Sequence, residues 1–529
     1  MIGTSLRGAF LTGLFLGGCG GEGTPRPSGP RLVVLYATCT LNTSFLGPHA
    51  RGKAGIEGVE GIRFTPSLDR LAREGIVFER HQTESAQSGI AFASIFTGVQ
   101  ADVHGIYYHP NRLADELYTI TEAFADAGYE PWFWSGHEMA SYDLNYGQGV
   151  RAEHVSVAQG RNKRAQKLAF LQPGDAKFQE LLDRLEADPD YRAFVLVNLT
   201  VTHGGYDRQL PAPTYDAFLA EFPEVARGTT RGELERWWKV YEENRLALQW
   251  DFPRTVERLG LSADDVARLA RALEVAYSAD VWALDGMLGR TLGVLERREL
   301  LDSTLFAFTA DHGEVLHRPN SLYHWTHDLQ LAPEELAVPW ILRAPGLGLA
   351  PRRYAGVTRS IDVFPTLAGL AGFAVTGRGP EGRDLSPTLR RGEELPPELA
   401  WSHTTSIGPD HVEEFRGWEL AGRYFGSTDV GLIWARVRDG DRVFKLRNLD
   451  GQRWGVQVFD LASDPFEERD LFDPANAEHA EMAKLLTAYK ERLVEHFDPA
   501  RLQAPSDARE RLEELGYVGE DPPAPERKP

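Results

Sequence analysis

The segment that most constrains the fold of this chain is the apolar run Thr304–Ala310, which is followed at once by an Asp-His-Gly-Glu sequence at residues 311–314. A short run of Leu, Phe, Ala and Thr is typical of a strand that is buried on both faces of a sheet. Open α/β sheets bind their ligands at the carboxyl ends of such strands. The segment therefore predicts a buried strand that delivers Asp311 and His312, two side chains able to bind a metal ion, to the functional edge of a sheet.

Strand patterns and helix patterns alternate along most of the chain. Residues 32–36 and 193–199 are further apolar runs that predict buried strands. Residues 66–74, which begin with a proline and precede a glycine, and residues 260–300 have the apolar spacing of amphipathic helices, one in the first segment and one or two in the second. This alternation predicts an α/β fold with a mainly parallel central sheet and helices on both faces.

The pattern changes in the last quarter of the chain. Residues 442–446 and 455–459 predict short strands separated by turn signals, and an amphipathic helix is predicted at residues 477–496. We therefore expect three parts after the amino-terminal segment: an α/β domain over residues 31–388, a smaller carboxyl-terminal α+β domain over residues 389–500, and a tail over residues 501–529. The proline-rich end of this tail, residues 522–529, is expected to be disordered.

The amino terminus has the pattern of a targeting signal. Arg7 precedes an apolar run at residues 9–16 that is too short to span a bilayer, and a Leu-Gly-Gly-Cys sequence ends at Cys19. This sequence resembles a bacterial lipobox, in which the cysteine is lipidated and becomes the first mature residue. An ordinary cleaved signal peptide is the alternative.

A lipobox at this position has consequences for location. We expect residues 1–19 to be a lipoprotein-type signal peptide and residues 20–30, which are rich in Gly, Pro and Ser, to be a flexible tether. The mature protein is then exported and anchored on the periplasmic or cell-surface side of a membrane. Contact with that membrane is expected through the amino-terminal lipid only.

Charge and cysteine content narrow the range of functions further. The formal net charge is −20, and no basic stripe offsets it, which argues against nucleic-acid binding. An anionic substrate would therefore need a local cationic pocket. The two cysteines are Cys19 and Cys39, so no intramolecular disulfide is expected in the folded part.

A series of short motifs follows in one order along the chain. They are the segments at residues 65–75, 94–98, 104–105, 277 with 285–289, 309–314, 338–346, 361–367, 459–465 and 515–518. Together they resemble the sulfatase family of the alkaline phosphatase superfamily, of which this chain would be a divergent, bacterial lipoprotein-like member. The rival interpretation, an unrelated α/β hydrolase, lacks its Gly-x-Ser-x-Gly elbow in this sequence.

The resemblance implies a site built around one divalent metal ion, calcium in the family. Carboxylates after the first strand and the Asp-His pair, here Asp311 and His312, are the expected ligands. The implied nucleophile lies at the start of a helix, where free N–H groups and the helix dipole favour an anionic sulfate or phosphate.

The nucleophile segment departs from that of sulfatases proper. The sequence Ser-Ile-Phe-Thr-Gly at residues 94–98 sets the register and places Ser88 at the nucleophile position. Phe92 then stands where the family has an Arg that supports the modified nucleophile. The chain contains no Cys-x-Pro-x-Arg sequence, so no formylglycine is expected. The alternative role for Ser88 is that of a helix N-cap.

The metal-binding loop after the first strand departs as well. The register over residues 35–47 places Cys39 at the metal-binding Asp of the family and Ser44 at a second Asp. If Cys39 is a ligand, its thiolate favours Zn²⁺ over Ca²⁺ or Mg²⁺; otherwise it is a small buried apolar residue. Glu84, four residues before Ser88, is one carboxylate that would compensate for the loss.

Histidines in the remaining motif loops complete the predicted site. By resemblance, His203 would bind the oxygens of the anion or protonate a leaving group. His327 is the expected contact to the substrate or to a second metal ion, with His324 as the second choice. In the Ser-Gly-His-Glu sequence at residues 135–138 the family's Lys is missing, and whether His137 replaces it as a substrate-binding residue stays open.

Three functions are compatible with this sequence. The first is a metal-assisted hydrolase of a sulfate or phosphate ester that uses Ser88 as its nucleophile. For an unmodified serine, a phosphoester is the chemically more plausible substrate. The second is a phospho-group transferase of the same superfamily. The third is a non-catalytic relative that binds a glycan or a partner at the cell surface.

Overall fold

The chain of 529 residues is described by a computed structural model over most of its length. The described residues are 29–47, 64–107, 111–159, 163–204, 210–318, 321, 323–327, 330–375, 379–404, 434–448 and 454–497. The predicted signal peptide with Cys19, most of the tether and the predicted tail lie outside these residues. Among the described helices, none combines the length and the apolar composition that crossing a membrane requires.

An eight-stranded, mainly parallel sheet forms the centre of the fold. Its strands, in chain order, are β1 (Leu32–Thr38), β2 (Ile76–Gln82), β3 (Glu130–Ser135), β4 (Val155–Val157), β5 (Ala193–Leu199), β6 (Thr304–Ala310), β7 (Trp340–Arg343) and β8 (Arg352–Arg359). They lie side by side in the order β4-β3-β5-β1-β6-β7-β2-β8. Only β7 runs antiparallel to its neighbours, β6 and β2, among the described strands of this sheet.

Both faces of the central strands are buried, as the uninterrupted apolar runs predict. In β1, Val34 and Tyr36 belong to the core on one face, whereas Val33 and Leu35 belong to the core on the other. Successive side chains of a strand point to opposite faces, so a strand covered on both sides cannot have polar alternation. The predicted α/β architecture is confirmed.

Helices of very different length cover the two faces. The described α-helices are α1 (Pro66–Glu74), α2 (Ser88–Thr97), α3 (Ala101–His104), α4 (Ile120–Asp126), α5 (Lys163–Ala169), α6 (Ala176–Ala187), α7 (Ala212–Glu221), α8 (Pro223–Ala226), α9 (Arg231–Glu243), α10 (Arg245–Trp250), α11 (Phe252–Leu259), α12 (Ala263–Arg297), α13 (Pro333–Leu336), α14 (Val363–Leu370), α15 (Ser386–Arg391) and α16 (Ala477–Glu495). The segment that predicted one or two helices at 260–300 is a single helix, α12, which begins at a Ser262 capping box.

A second, smaller sheet follows in the chain. Its strands β9 (Leu399–Thr404), β10 (Trp434–Asp439), β11 (Arg442–Asn448) and β12 (Trp454–Asp460) are antiparallel in the order β12-β11-β10-β9. Helix α16 covers it with Leu486 and Leu493, which share a core with Phe444 of β11. The smaller α+β part is therefore confirmed, whereas the exact domain boundaries stay a prediction.

The small sheet is attached to the loop that leads into α2. The Ser402 hydroxyl of β9 donates a hydrogen bond of 2.7 Å to the Thr83 carbonyl, and the His403 N–H donates one of 2.8 Å to the Glu84 carbonyl. The loop between β2 and α2 is thus held by both sheets. This attachment sets the position at which α2 begins.

Candidate active site

The carboxyl ends of β1, β5 and β6 meet at one edge of the large sheet. Thr38, the last residue of β1, lies opposite Leu199 of β5 and Ala310 of β6. The residues that follow these strands are therefore neighbours. The Cys39 N–H donates to the Leu199 carbonyl at 2.7 Å, and the Asp311 N–H donates to the Thr38 carbonyl at 2.9 Å.

The chain turns sharply directly after Cys39. Thr40 has a φ of 52°, a left-handed conformation that a β-branched residue rarely adopts. Its N–H donates to Asp311 Oδ1 at 3.1 Å, and its carbonyl accepts a hydrogen bond of 2.6 Å from the Tyr277 hydroxyl. The strained turn is thus held on both sides, and Tyr277 of α12 positions the loop that carries Cys39.

Ser88 is the first residue of α2, and every residue of this helix is buried. The N-cap position belongs to Gln87, so Ser88 does not serve as the cap that was the alternative interpretation of this residue. Helix α2 has ten residues, and its amino-terminal N–H groups favour a negative charge near Ser88. The hydroxyl is therefore at the position where an anion is most easily bound.

The Ser88 hydroxyl is within hydrogen-bond distance of His312. Ser88 Oγ lies 2.9 Å from Nε2 of His312 and 3.5 Å from Sγ of Cys39. Nδ1 of His312 lies 2.8 Å from the Gly313 carbonyl, which only accepts hydrogen bonds, so Nδ1 carries the ring hydrogen. His312 Nε2 is then the acceptor, and the Ser88 hydroxyl donates to it.

The glycine after His312 is required by a close approach of two backbone segments. Its N–H donates to the Glu335 carbonyl at 2.7 Å. A Cβ atom at Gly313 would lie 1.9 Å from the Glu334 carbonyl oxygen. The Asp-His-Gly sequence therefore combines two functional side chains with the glycine that allows the backbone of this loop to pack closely against α13.

Three potential metal ligands converge beside Ser88. One donor atom each from Cys39, Asp311 and His312 can be chosen so that all lie within 4.8 Å of one another, and all three side chains are buried. Asp311 Oδ1 accepts hydrogen bonds from the Thr40 and His312 N–H groups. Asp311 Oδ2 lies 3.5 Å from His312 Nε2 and has no hydrogen-bond partner among the described residues.

The electrostatics of this cluster favour a bound cation. Burial raises the pKa of the Cys39 thiol well above its usual value, and the Asp311 carboxyl raises it further. Burial likewise raises the pKa of Asp311. A cation would stabilise both ionised forms. A thiolate, a carboxylate and an imidazole form a ligand set that suits Zn²⁺ and lacks the all-oxygen character of Ca²⁺ sites, so the residues fit a divalent ion of the zinc type.

The two other carboxylate positions considered from the sequence do not contribute to this cluster. Ser44 lies in a short 3₁₀ turn and is partly exposed; its N–H donates to Asn42 Oδ1. Glu84 is buried, and its Oε1 accepts from the Ile361 N–H at 3.3 Å. The hypothesis that Glu84 replaces a lost ligand is not supported, because this contact holds the carboxylate against the 3₁₀ turn at residues 360–362, which precedes α14.

Two of the predicted histidines line the same edge of the sheet. The ring of His327 lies 4.4 Å from that of His312 and 5.2 Å from that of His203, centre to centre. His327 Nδ1 is 3.4 Å from Glu314 Oε1. Burial lowers the pKa of His203 to about 3, and the neighbouring His312 lowers it as well, so His203 is neutral at pH 7.

The remaining two histidines have other surroundings. His324 packs against Phe252, with ring centres 4.3 Å apart, and burial lowers its pKa to about 3. His137 lies with its edge against Phe92, at 5.4 Å between ring centres, and its Nδ1 accepts from the Met139 N–H at 3.1 Å. Phe92, one turn after Ser88, is fully buried, so an apolar ring occupies the position of the family's Arg.

One side chain at this edge of the sheet was not predicted from the sequence. Lys167 of α5 is only 9% exposed, and its ammonium donates to the Thr200 hydroxyl directly after β5. The surrounding sequence, Lys-Arg-Ala-Gln-Lys-Leu-Ala, is typical of a solvated helix face and carries no motif. Only the packing of α5 on the end of β5 distinguishes this lysine from its neighbours.

Comparisons with known proteins agree with this architecture. The family model described as Sulfatase matches residues 51–373. N-acetylglucosamine-6-O-sulfatase of Bacteroides thetaiotaomicron is 23% identical over 482 residues, which cover 80% of this chain and 80% of the relative. Choline-sulfatase of Rhizobium meliloti is 26% identical over 477 residues, which cover 84% of this chain and 85% of the relative.

A solved structure has the same overall fold. Phosphonate monoester hydrolase of Agrobacterium radiobacter matches with a TM-score of 0.58 and 22% sequence identity, over 88% of this chain and 95% of that chain. The family model spans more than half of the 529 residues, and it includes β6 with Asp311 and His312. The chain therefore belongs to the sulfatase family.

Proposed function

We propose that this protein hydrolyses an anionic sulfate or phosphate-type ester, with the unmodified Ser88 hydroxyl as nucleophile. The observation that carries the proposal is the 2.9 Å contact between Ser88 Oγ and His312 Nε2 at the amino terminus of α2. A hydroxyl beside a nitrogen that can accept its proton or hold a metal ion, at a helix terminus that favours anions, is an arrangement suited to nucleophilic catalysis on such esters.

The residues of the chain divide the chemistry among them. Attack by Ser88 Oγ forms a bond to sulfur or phosphorus and breaks the ester bond to the alcohol. A divalent ion held by Cys39, Asp311 and His312 would occupy Nε2 of His312 in place of the hydrogen bond from Ser88. It would polarise an ester oxygen and favour the ionised form of the Ser88 hydroxyl, whose proton would leave to water. The leaving alcohol oxygen takes a proton, and water then cleaves the ester on Ser88.

His203 is the proposed source of the proton for the leaving alcohol. Its pKa is lowered to about 3 by burial, so it is neutral at pH 7 until an anion is near. The negative charge of a bound ester favours the protonated imidazole and raises that pKa. His203 would therefore acquire its proton together with the substrate and pass it to the departing oxygen.

The substrate class is supported by the relatives. The two named above act, by their names, on a 6-O-sulfated amino sugar and on choline sulfate, and the solved structure is that of a phosphonate monoester hydrolase. These have in common a small tetrahedral oxyanion. An unmodified serine favours phosphorus over sulfur as the reacting centre, and a phosphorylated or sulfated glycan is the proposed source of the group.

The test combines metal analysis with a substrate screen. Purified protein is assayed with aryl phosphates, aryl phosphonates and aryl sulfates, and its zinc and calcium contents are measured. Ser88→Ala should lose turnover by about a thousand-fold or more. Ser94→Ala is the matched control on the same helix, because the Ser94 hydroxyl contacts His104 at 3.2 Å and not the cluster.

A non-catalytic relative is the second candidate. It is favoured by Phe92 and Ser44, which stand where the family has an Arg and an Asp. For this candidate, purified protein would hold no stoichiometric metal, and Ser88→Ala would change nothing measurable. Turnover of any of the esters that is lost in Ser88→Ala but kept in Ser94→Ala would exclude it.

A further inference from the structure

An anionic ester at the amino terminus of α2 needs positive charge close to the buried ligand cluster. The protein has a net charge of −20, so an anionic ester is not attracted by the molecule as a whole. Once they are ionised, Cys39 and Asp311 would cancel the two positive charges of a divalent ion held between them. A cationic side chain at this edge of the sheet is therefore needed to hold the oxygens of the ester.

Lys167 is placed where that charge is needed. Its ammonium donates to the Thr200 hydroxyl, which in turn donates to the Gly136 carbonyl at 2.8 Å. Thr200 directly follows Leu199, whose carbonyl accepts the Cys39 N–H at 2.7 Å. The ammonium is thus located at the same strand ends as the ligand cluster, between β3 and β5.

The way in which β3 ends explains why the cation comes from α5. The Gly136 N–H donates to the backbone carbonyl of Asn198 at 2.9 Å, and a Cβ atom at Gly136 would lie only 2.7 Å from that oxygen. The same Cβ would lie 3.4 Å from Cγ of Lys167. No side chain fits at Gly136 without a backbone shift, and the space above it is filled by Lys167.

Lys167 also differs from other lysines in its partners. Lys163, on the same helix, is 31% exposed and forms an ion pair with Glu138 at 3.3 Å. Among the described residues, no carboxylate lies within 4.0 Å of the Lys167 ammonium, which is hydrogen-bonded to a neutral hydroxyl. Burial lowers the pKa of Lys167, and the more distant Glu138 carboxylate, which pairs with Lys163, opposes this effect only in part.

We propose that the Lys167 ammonium binds an oxygen of the substrate's sulfate or phosphate group, as the anion-binding residue of this site. The inference rests on the proposed function for the identity of the ligand, but not on turnover. The anion would supply the direct charged contact that no carboxylate of the described residues makes with this ammonium. Lys167 also lies close enough to His203 for its charge to lower the pKa of that ring, and an anion bound to Lys167 would offset this effect.

The experiment measures binding of inorganic phosphate and inorganic sulfate to the purified full-length protein by calorimetry. Lys167→Met should weaken the affinity for the preferred anion about 10-fold to 100-fold, because a charge-assisted hydrogen bond is lost. Lys163→Met, on the same helix, should change it less than about twofold, since exposed ion pairs contribute little. The two anions show which oxyanion the site prefers.

A folded Lys167→Met protein with wild-type affinity for both anions would overturn the inference. If Lys167→Met does not fold, Lys167→Gln keeps a donor for Thr200 without the charge and is measured in its place. On the wild-type protein, phosphate or sulfate should also slow acetylation of Lys167 relative to Lys163, as followed by mass spectrometry. Equal rates with and without the anions count against the inference as well.

The same titrations in a Ser88→Ala background separate this inference from the proposed function. Anion binding that depends on Lys167 in both backgrounds, without turnover of any ester, would keep the anion site and reject the hydrolase. Turnover that depends on Ser88, with anion binding that is independent of Lys167, would do the reverse.

Discussion

Ser88 Oγ lies 2.9 Å from Nε2 of His312, although the two residues are 224 positions apart in the chain. The contact exists because β6 ends beside β1, while the loop after β2 brings the start of α2 to the same edge of the sheet. Cys39 Sγ lies 3.5 Å from the same Ser88 oxygen, and one turn further along α2 lies Phe92.

Cys39 should determine which metal the protein prefers. Cys39→Asp replaces the thiolate with a hard oxygen ligand, and we expect preference to shift from Zn²⁺ towards Ca²⁺ or Mn²⁺. The affinity for Zn²⁺ should fall by about 10-fold to 100-fold or more, at least the cost of disturbing a ligand's supporting contacts. Competition titrations with a chromophoric chelator measure both affinities.

The matched control for this prediction is Cys39→Ala, which removes the thiol without a new ligand. It should bind both metals weakly. If Cys39→Ala keeps wild-type zinc content, Cys39 is a buried apolar residue and not a ligand.

His203 and His324 should respond differently to the same substitution. His203→Asn should lower kcat by about 10²- to 10⁴-fold, the usual contribution of a general acid. The loss should be larger for an alkyl ester than for an ester with an activated aryl leaving group, because the latter departs without protonation. Rates for two such substrates provide the measurement.

His324→Asn serves as the comparison, since this ring packs against Phe252 and not against His312 or His203. We expect kcat to be unchanged in the folded variant. Equal losses for both substrates in His203→Asn would argue against proton donation and for a role in binding.

Glu84 should make stability depend on pH. Burial raises its pKa from 4.5 to about 8 in the folded protein. Because the folded state then holds a proton that the unfolded state releases, the favourable contribution is complete below about pH 4.5 and is lost as the pH rises through 8. The free energy of unfolding should decrease by a few kcal/mol over this window, at up to about 1.4 kcal/mol per pH unit.

Glu84→Gln keeps the shape of the side chain and removes the titration. Urea denaturation at pH 5 and pH 8 should therefore show a smaller pH effect in this variant than in the wild type. Glu481→Gln, on the exposed face of α16, is the control and should leave the pH dependence as it is. A wild-type slope retained in Glu84→Gln would contradict the prediction.

Structural features that depend on the pattern of consecutive residues could be predicted from the sequence. The strand β6, the helices α1 and α2, the mainly parallel sheet and the family were all predictable, because apolar periodicity and motif order are properties of consecutive residues. The same is true of the smaller second sheet. The residues that match family motifs, including Asp311 and His312, could be named before any contact was known.

Contacts between residues far apart in the chain could not be predicted from the sequence. Glu84 was considered as a replacement ligand because it lies four residues before Ser88, but the attachment of β9 to this loop directs it to Ile361. His327 and His324 are three residues apart in one motif, and only the packing shows that His327 faces His312 and His203. Proximity along a loop does not decide which way a side chain points.

The sequence alone determined the architecture and the absence of a formylglycine motif, since both depend on which residues follow one another. Only the tertiary structure decided that Cys39, Ser88 and His312 form one buried cluster, and that Lys167, from a helix without any motif, reaches the same edge. The physical reason is the parallel sheet. Its strand ends bring together residues far apart in sequence, and the cost of burying a charge selects which of them can remain there without a partner.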